Sequence, residues 1–220
     1  MGPPPELVES IRDSFGVRVF VETGTFRGRT ANWASTLFPK VITIEASEEI
    51  WKQARTKYSS VTNIEFRHGR SEEVLNKVVR AIRQPAVFWL DAHWSGGNTF
   101  GSTSICPIRR EIKEILVASC QHVVLVDDVR LFLAPPPLPH DPDNWPSIGE
   151  LLSDLQAVRP EGYQAITVDI LISVPPHARL KMSIEYCQDA QTEEEARRRW
   201  ERRLSNITIG HIMNIARKRV

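Results

Sequence analysis

Val19-Phe20-Val21-Glu22-Thr23-Gly24-Thr25-Phe26-Arg27-Gly28 is a short apolar strand that runs into an acid and then into a glycine turn. Three further apolar strands also end on acidic residues, and these acids are Glu45, Asp91 and the pair Asp127-Asp128. In an open parallel sheet, ligands bind at the edge formed by the carboxyl ends of the strands. The order of strands therefore predicts a glycine turn, an acid for a ribose diol and a group of three aspartates at one edge. This is the layout of an enzyme that uses a nucleotide cofactor and a metal.

The composition predicts one domain in a reducing compartment. A chain of 220 residues can bury one sizeable core, and we expect a single domain over 1–220, with an N-terminal helical extension (1–16) and a C-terminal extension (189–220). The 28 basic and 27 acidic residues nearly balance, which argues against a nucleic-acid or membrane partner. Three cysteines without metal-type spacing favour free thiols and a cytoplasmic location. No apolar run approaches the ~18 residues that a membrane span needs.

The hydrophobic pattern predicts strands that alternate with helices. The predicted strands cover residues 17–22, 40–45, 64–68, 86–91 and 122–127, with amphipathic segments between them. Two further β-rich runs, 163–174 and 179–187, are joined by Pro175-Pro176-His177, which predicts an antiparallel hairpin. The expected fold class is therefore α/β: a Rossmann-like doubly wound sheet of seven strands, mostly parallel, with a C-terminal antiparallel β-hairpin.

Three serines are expected to start helices. Ser47 and Ser71 each precede two glutamates and are predicted to cap the helices that follow, since acids are favourable in a first helical turn. Ser147-Ile148-Gly149-Glu150 is a capping box, and it predicts a helix that runs to about residue 158.

Three features carry a family resemblance over about residues 15–188. They are Glu-x-Gly-x-x-x-Gly after the first strand, the acid that ends the second strand, and the terminal hairpin. In these features the chain resembles the class I S-adenosylmethionine-dependent methyltransferases. Asp91 and Asp127-Asp128 resemble, more narrowly, the metal-dependent sugar O-methyltransferases of macrolide and glycan biosynthesis. The resemblance implies S-adenosyl-L-methionine as the cofactor. The implied cofactor-binding residues are Glu22, Thr23, Gly24, Thr25, Gly28, Glu45, Ala46, Gly69, Ser71 and Asp91. Many relatives carry an acid after the glycine that ends the third strand, whereas here Arg70 follows, so Ser71 is the candidate for the adenine contact.

Two acidic residues are expected to bind polar groups of the cofactor. A carboxylate at Glu22 would face the cationic methionine ammonium, a group that a dinucleotide does not offer, and the chain also lacks Gly-x-Gly-x-x-Gly. Glu45 ends its strand where a carboxylate can accept from both ribose hydroxyls. The alternatives are that Gly24 and Gly28 serve only a tight turn and that Glu45 is an exposed acid that leads a helix.

Asp91, Asp127 and Asp128 are the candidate metal ligands. Ionised carboxylates on adjacent strand ends repel one another and need a cation or a shared proton. Hard oxygen ligands suit Mg²⁺, Ca²⁺ or Mn²⁺ rather than zinc. Such an ion would hold two sugar oxygens and lower the pKa of the hydroxyl to be methylated. The alternative is that one aspartate caps a helix or pairs with Arg130.

His93, two residues beyond Asp91, is the candidate base, because its ordinary pKa suits an alcohol already acidified by a metal. Asp91 is the rival base. The alternative for His93 is a loop histidine that packs on Trp94.

The Gly/Ser-rich loop that starts at Trp94 is expected to close over the reactants and exclude water. Trp94, Phe100 and Trp145 are candidates to stack on a sugar face, and Arg130 is a further candidate for the acceptor. A surface loop without function is the alternative.

The combined prediction is an S-adenosylmethionine-dependent O-methyltransferase that acts on a sugar or glycan hydroxyl with a divalent cation, and the expected ion is Mg²⁺. The alternatives are a catechol-like or other small hydroxylated acceptor, a cofactor-binding scaffold without catalysis, and an RNA methyltransferase. Arginines at 197–199 and 202–203 suggest RNA, but glutamates at 193–195 and 201 offset them. This segment is therefore expected to be a solvated helix or a contact in a homo-oligomer.

Overall fold

The structure is a computed structural model that describes residues 2–92, 106–118, 120–136, 142–167 and 169–176. The predictions for His93, Trp94 and Phe100, for the strand at 179–187 and for the Arg-rich segment fall outside the described residues.

The described residues form one mixed sheet of seven strands in the order β3-β2-β1-β4-β5-β7-β6. The strands are β1 (Val19–Thr23), β2 (Lys40–Glu45), β3 (Ile64–His68), β4 (Ala86–Leu90), β5 (Val123–Val126), β6 (Tyr163–Thr167) and β7 (Ile170–Val174). Strands β1 to β5 pair in parallel, whereas β7 is antiparallel to both β5 and β6. The predicted fold class is confirmed.

Helices cover both faces of this sheet. They are α1 (Pro5–Phe15), α2 (Arg29–Leu37), α3 (Glu48–Lys57), α4 (Ser71–Ala81), α5 (Ile108–Leu116) and α6 (Ile148–Val158), with two 3-10 turns at Val129–Phe132 and Pro142–Asn144. Apolar residues of α1 and α2 pack with Phe20, Val87 and Trp89 on one face. Those of α4, α5 and α6 pack on the other face with Val21 and Phe88, because successive strand residues point to opposite sides. None of the helices in the described ranges is long and apolar enough to cross a membrane.

The terminal hairpin lies earlier in the chain than predicted. The run 163–174 is not one strand but both arms of the hairpin, since Thr167 pairs with Ile170 across a two-residue turn. Asp169 has φ +67° in this turn, a left-handed conformation that aspartate tolerates better than most residues. The turn carries neither glycine nor proline, whereas Pro175-Pro176 gives the stronger turn signal in the sequence.

Two of the three predicted helix caps are confirmed. The Ser47 hydroxyl accepts from the Ile50 N–H at 3.4 Å, and Ser147 forms the predicted capping box with Glu150. Ser71 does not cap α4: it is the first helical residue, and Arg70 precedes it in an extended conformation. The prediction was wrong because Gly69, with φ +137°, carries the extended chain one residue further before the helix begins.

Candidate cofactor and acceptor site

Backbone hydrogen bonds continue the sheet just beyond the carboxyl ends of its central strands. The Asp91 N–H donates to the Thr23 carbonyl at 3.1 Å, and the Asp127 N–H donates to the Leu90 carbonyl at 3.1 Å. On the other side of β1, the Gly24 N–H donates to the Ile44 carbonyl at 2.9 Å. The glycine turn, Glu45 and the two aspartates therefore lie along one edge, as the strand order predicted.

The turn after β1 needs glycine at Gly24 and Gly28. Gly24 has φ +89°, and a Cβ atom there would lie 2.3 Å from the Asp91 carbonyl oxygen. Gly28 has φ +67°, and a Cβ atom there would lie 2.8 Å from the Tyr58 ring. Both positions combine a left-handed backbone with close approach of another group, so a side chain at either would require the turn to move.

Glu45 is buried at the end of β2, and the backbone fixes its carboxylate. Oε2 accepts from the Phe26 N–H at 2.9 Å, and Oε1 accepts from the Ser47 N–H at 3.0 Å. Each carboxylate oxygen has a further lone pair, so these bonds leave capacity for two more donors. Glu45 is thus not the exposed acid of the alternative interpretation, and its direction is set by the glycine turn and by the start of α3.

Glu22 is only 1% exposed. Burial raises the pKa of its carboxyl group from 4.5 to about 8, and the nearby charge of Asp91 also raises this pKa. Hydrogen bonds from Thr43 and Thr30 act in the opposite direction. The Thr43 hydroxyl lies 2.7 Å from Glu22 Oε2 and 2.6 Å from the Thr25 hydroxyl. A carboxyl group that titrates near neutral pH can release its proton when a cation arrives beside it.

The predicted cluster of three aspartates is not formed. Asp128 lies beyond the end of β5 with φ +53°, and its Oδ1 is 2.6 Å from Arg130 Nη1. Within the described ranges, no three His, Cys, Asp or Glu residues are grouped so that they could hold a metal ion. The chain leaves the strand before Asp127, and the left-handed turn at Asp128 directs its carboxylate to Arg130.

Asp91 and Asp127 stay the two candidate ligands for a divalent cation. Asp127 is 8% exposed and Asp91 is half-buried, and the two follow adjacent parallel strands. Mg²⁺ is commonly bound through one or two carboxylates, with water and substrate oxygens as the other ligands. Two aspartates would satisfy that requirement without Asp128.

Two predicted acceptor residues already have contacts within the chain. The Arg130 guanidinium pairs with both Asp128 and Asp169, and the backbone N–H of Arg130 donates to Asp169 Oδ1 at 2.7 Å. Trp145 stacks on Phe132 with ring centroids 5.5 Å apart and packs against the core. These contacts join the end of β5 to its neighbouring segments, and a role of Arg130 or Trp145 in acceptor binding stays a prediction.

The remaining predicted cofactor residues surround Glu45 and β1. Ala46 is half-buried after Glu45, and the Gly69 N–H donates to the Glu45 carbonyl at 2.9 Å. Ser71 is buried two residues beyond Gly69. Thr23 is fully buried, and its hydroxyl has no hydrogen-bond partner among the residues that the structure describes.

Sequence reasoning did not include Thr43, Thr30 or Tyr58. Thr43 contacts Glu22, Thr30 acts on the pKa of Glu22, and the Tyr58 ring covers Gly28. Thr43 had a detectable signal, because it is a polar residue inside the apolar run Val41-Ile42-Thr43-Ile44. Thr30 and Tyr58 had no such signal in the sequence, since their contacts depend on how α2 and α3 pack.

Known proteins resemble this chain in structure. No protein-family model and no curated protein matches it in sequence. The O-methyltransferase from Bacillus cereus in complex with S-adenosylhomocysteine (SAH) is similar, with a TM-score of 0.54, 18% identity and coverage of 80% of this chain and 82% of that one. The SAH-bound methyltransferase of Podospora anserina gives a TM-score of 0.50 and 16% identity over 80% of this chain and 89% of that one. The chain therefore has the fold of S-adenosylmethionine-dependent methyltransferases.

Proposed function

We propose that this protein is an S-adenosylmethionine-dependent O-methyltransferase that acts on a sugar hydroxyl with a divalent cation. The observation that carries the proposal is the pair of buried carboxylates, Glu22 and Glu45, on the two sides of the Gly24 turn. An ionised Glu22 would repel a pyrophosphate brought to this turn but would attract a methionine ammonium. This difference favours S-adenosylmethionine over a dinucleotide.

In the proposed complex, Glu45 accepts from the ribose hydroxyls with the lone pairs that Phe26 and Ser47 leave open. Glu22 loses its proton and faces the ammonium group. The close approach of Gly24 to Asp91 lets the cofactor lie against the backbone at the ends of β1 and β4. Positioning of the sulfonium in line with the acceptor oxygen supplies much of the rate enhancement.

For the acceptor, we propose that Asp91 and Asp127 hold the cation and that His93 takes the hydroxyl proton, with Asp91 as the alternative base. When bound, a divalent cation lowers the pKa of a coordinated hydroxyl, so a weak base suffices. The methyl group then moves from sulfur to oxygen, and the C–S bond breaks as the C–O bond forms.

The test is methyl transfer from radiolabelled S-adenosylmethionine to separate panels of sugars and catechols, with and without a chelator. We expect transfer to sugars that a chelator abolishes and that Mg²⁺ restores. Asp127→Asn should lower turnover, whereas Asp143→Asn, an exposed aspartate outside the site, should not. His93→Ala should lower turnover by roughly 10²–10⁴ with little change in cofactor affinity.

Full turnover in excess chelator would contradict the proposed metal dependence. Labelling of catechols alone would contradict the proposal that the acceptor is a sugar. Neither result would exclude an O-methyltransferase. Absence of transfer to any hydroxyl, together with normal SAH binding, would favour the scaffold alternative.

A further inference from the structure

Among the strands that the structure describes, β3 lies at one end of the sheet order and pairs only with β2. The Asn63 carbonyl accepts from the Val41 N–H at 2.9 Å, just before β3 begins. The Gly69 N–H, just after β3 ends, donates to the Glu45 carbonyl at 2.9 Å. Because successive residues of a strand direct their backbone polar groups to opposite sides, the odd-numbered residues face β2. The even-numbered residues therefore present their N–H and C=O groups outward, and these residues are Ile64, Phe66 and His68.

The side chains of β3 are complementary to a second copy of the same strand. Glu65 and Arg67 are 34% and 55% exposed, and they form an ion pair with each other. A two-fold axis through Phe66 would place Glu65 of one copy opposite Arg67 of the other, twice. Phe66 would lie opposite itself and Ile64 opposite His68, so the outward backbone groups of both strands would form hydrogen-bonded pairs.

The charges select this register among the neighbouring ones. An axis through Glu65 would place two glutamates opposite each other, and an axis through Arg67 would place two arginines opposite each other. Like charges directly opposite in a sheet are destabilising. In the register through Phe66, Glu65 and Arg67 instead form non-hydrogen-bonded pairs, in which opposed side chains come closest.

There is also room beside the strand. An open groove of about 760 Å³ separates α3 from β3, and its walls include Trp51, Arg55, Phe66 and Arg67. The groove therefore leaves open space next to β3 on the side of α3.

We infer that β3 is the interface of a homodimer, in which two sheets join through antiparallel pairing of β3 with β3 around a two-fold axis at Phe66. Such an isologous contact uses one self-complementary patch on both copies. The strand is short, so the interface is small and the dimer is expected to dissociate reversibly in the micromolar range.

The test is the dissociation constant of the dimer, measured by sedimentation equilibrium for the full chain and for charge variants. Glu65→Arg and Arg67→Glu each place like charges opposite one another twice, and each should raise the dissociation constant at least about tenfold. The double variant Glu65→Arg/Arg67→Glu restores opposite charges in the same register and should return the constant to within about threefold of the wild-type value.

Glu49→Arg, a charge reversal of an exposed glutamate on α3, is the matched control and should leave the constant unchanged. Circular dichroism should show that each variant is folded, and if Glu65→Arg fails to fold, Arg67→Glu and the double variant carry the test. A wild-type protein that stays monomeric at all concentrations would overturn the inference. So would a dimer that neither single variant weakens, because its interface would then lie elsewhere.

Discussion

At the scale of single residues, backbone groups fix the direction of the Glu45 side chain. Its carboxylate is held by N–H groups from two different segments, the glycine turn and the start of α3. The side chain therefore has one direction, and it would lose little conformational entropy in the proposed contact with a ribose.

Glu45→Ala should weaken SAH binding by about 1–3 kcal/mol, because the ribose hydroxyls would lose a buried acceptor. Titration calorimetry measures this change. Glu48→Ala is the control, since Glu48 is an exposed acid that pairs with Lys52, and it should leave the affinity unchanged. Equal affinities for Glu45→Ala and the wild-type protein would contradict the assigned role.

The raised pKa of Glu22 predicts that the stability of the folded protein depends on pH. Its pKa is about 8 in the folded protein and has an ordinary value of 4.5, so between these values the folded state keeps a proton that the unfolded state releases. The free energy of unfolding therefore receives its full contribution from Glu22 below pH 4.5, and loses it as the pH rises to about 8.

The loss amounts to a few kcal/mol, since each pH unit within the window contributes about 1.4 kcal/mol. Melting temperatures of the cofactor-free protein between about pH 5 and 8 measure the effect. Glu22→Gln, which keeps an acceptor for Thr43, should flatten the dependence, whereas Glu49→Gln should leave it as in the wild type. Parallel curves for the wild-type and Glu22→Gln proteins would refute the raised pKa.

At the scale of elements, the turn from β1 to α2 depends on two separate properties of glycine. Gly24 combines a positive φ with a Cβ position that is 2.3 Å from the Asp91 carbonyl oxygen. Gly16, after α1, has φ +59° but no atom within 4 Å of its Cβ position. Substitution of the two glycines therefore separates two free-energy costs. Gly16 tests the cost of the left-handed backbone alone, and Gly24 adds the cost of the close approach to Asp91.

Gly16→Ala should destabilise the protein by about 1–2 kcal/mol, the cost of a left-handed backbone alone. Gly24→Ala should cost at least about 2 kcal/mol more, because the turn and the end of β4 must move apart. It should also weaken SAH binding, whereas Gly16→Ala should not. Urea denaturation and calorimetry test both statements, and equal losses of stability would argue against the close approach of the turn to β4.

The sequence predicted some elements better than others for physical reasons. The bounds of β2 and β3 agree with the prediction to the residue, because continuous apolar or alternating runs end at a clear polar boundary. The hairpin was misplaced because its turn relies on the left-handed tolerance of Asp169 rather than on glycine or proline. Likewise, the sequence offered pairing of one aspartate with Arg130 only as an alternative, because no glycine marks the left-handed turn that brings Asp128 to Arg130.

At the scale of the whole molecule, the strand order brings residues from distant parts of the sequence to one edge. Glu22 is the penultimate residue of β1, Glu45 ends β2, and Asp91 and Asp127 follow β4 and β5, so the topology brings all four to the same edge.

The central claim is that this sheet edge binds S-adenosylmethionine and not a dinucleotide. Titration calorimetry of the wild-type protein with SAH and, separately, with NAD tests it most directly. The account predicts one SAH site per chain with micromolar affinity and no measurable heat with NAD. Clear binding of NAD without binding of SAH would contradict it.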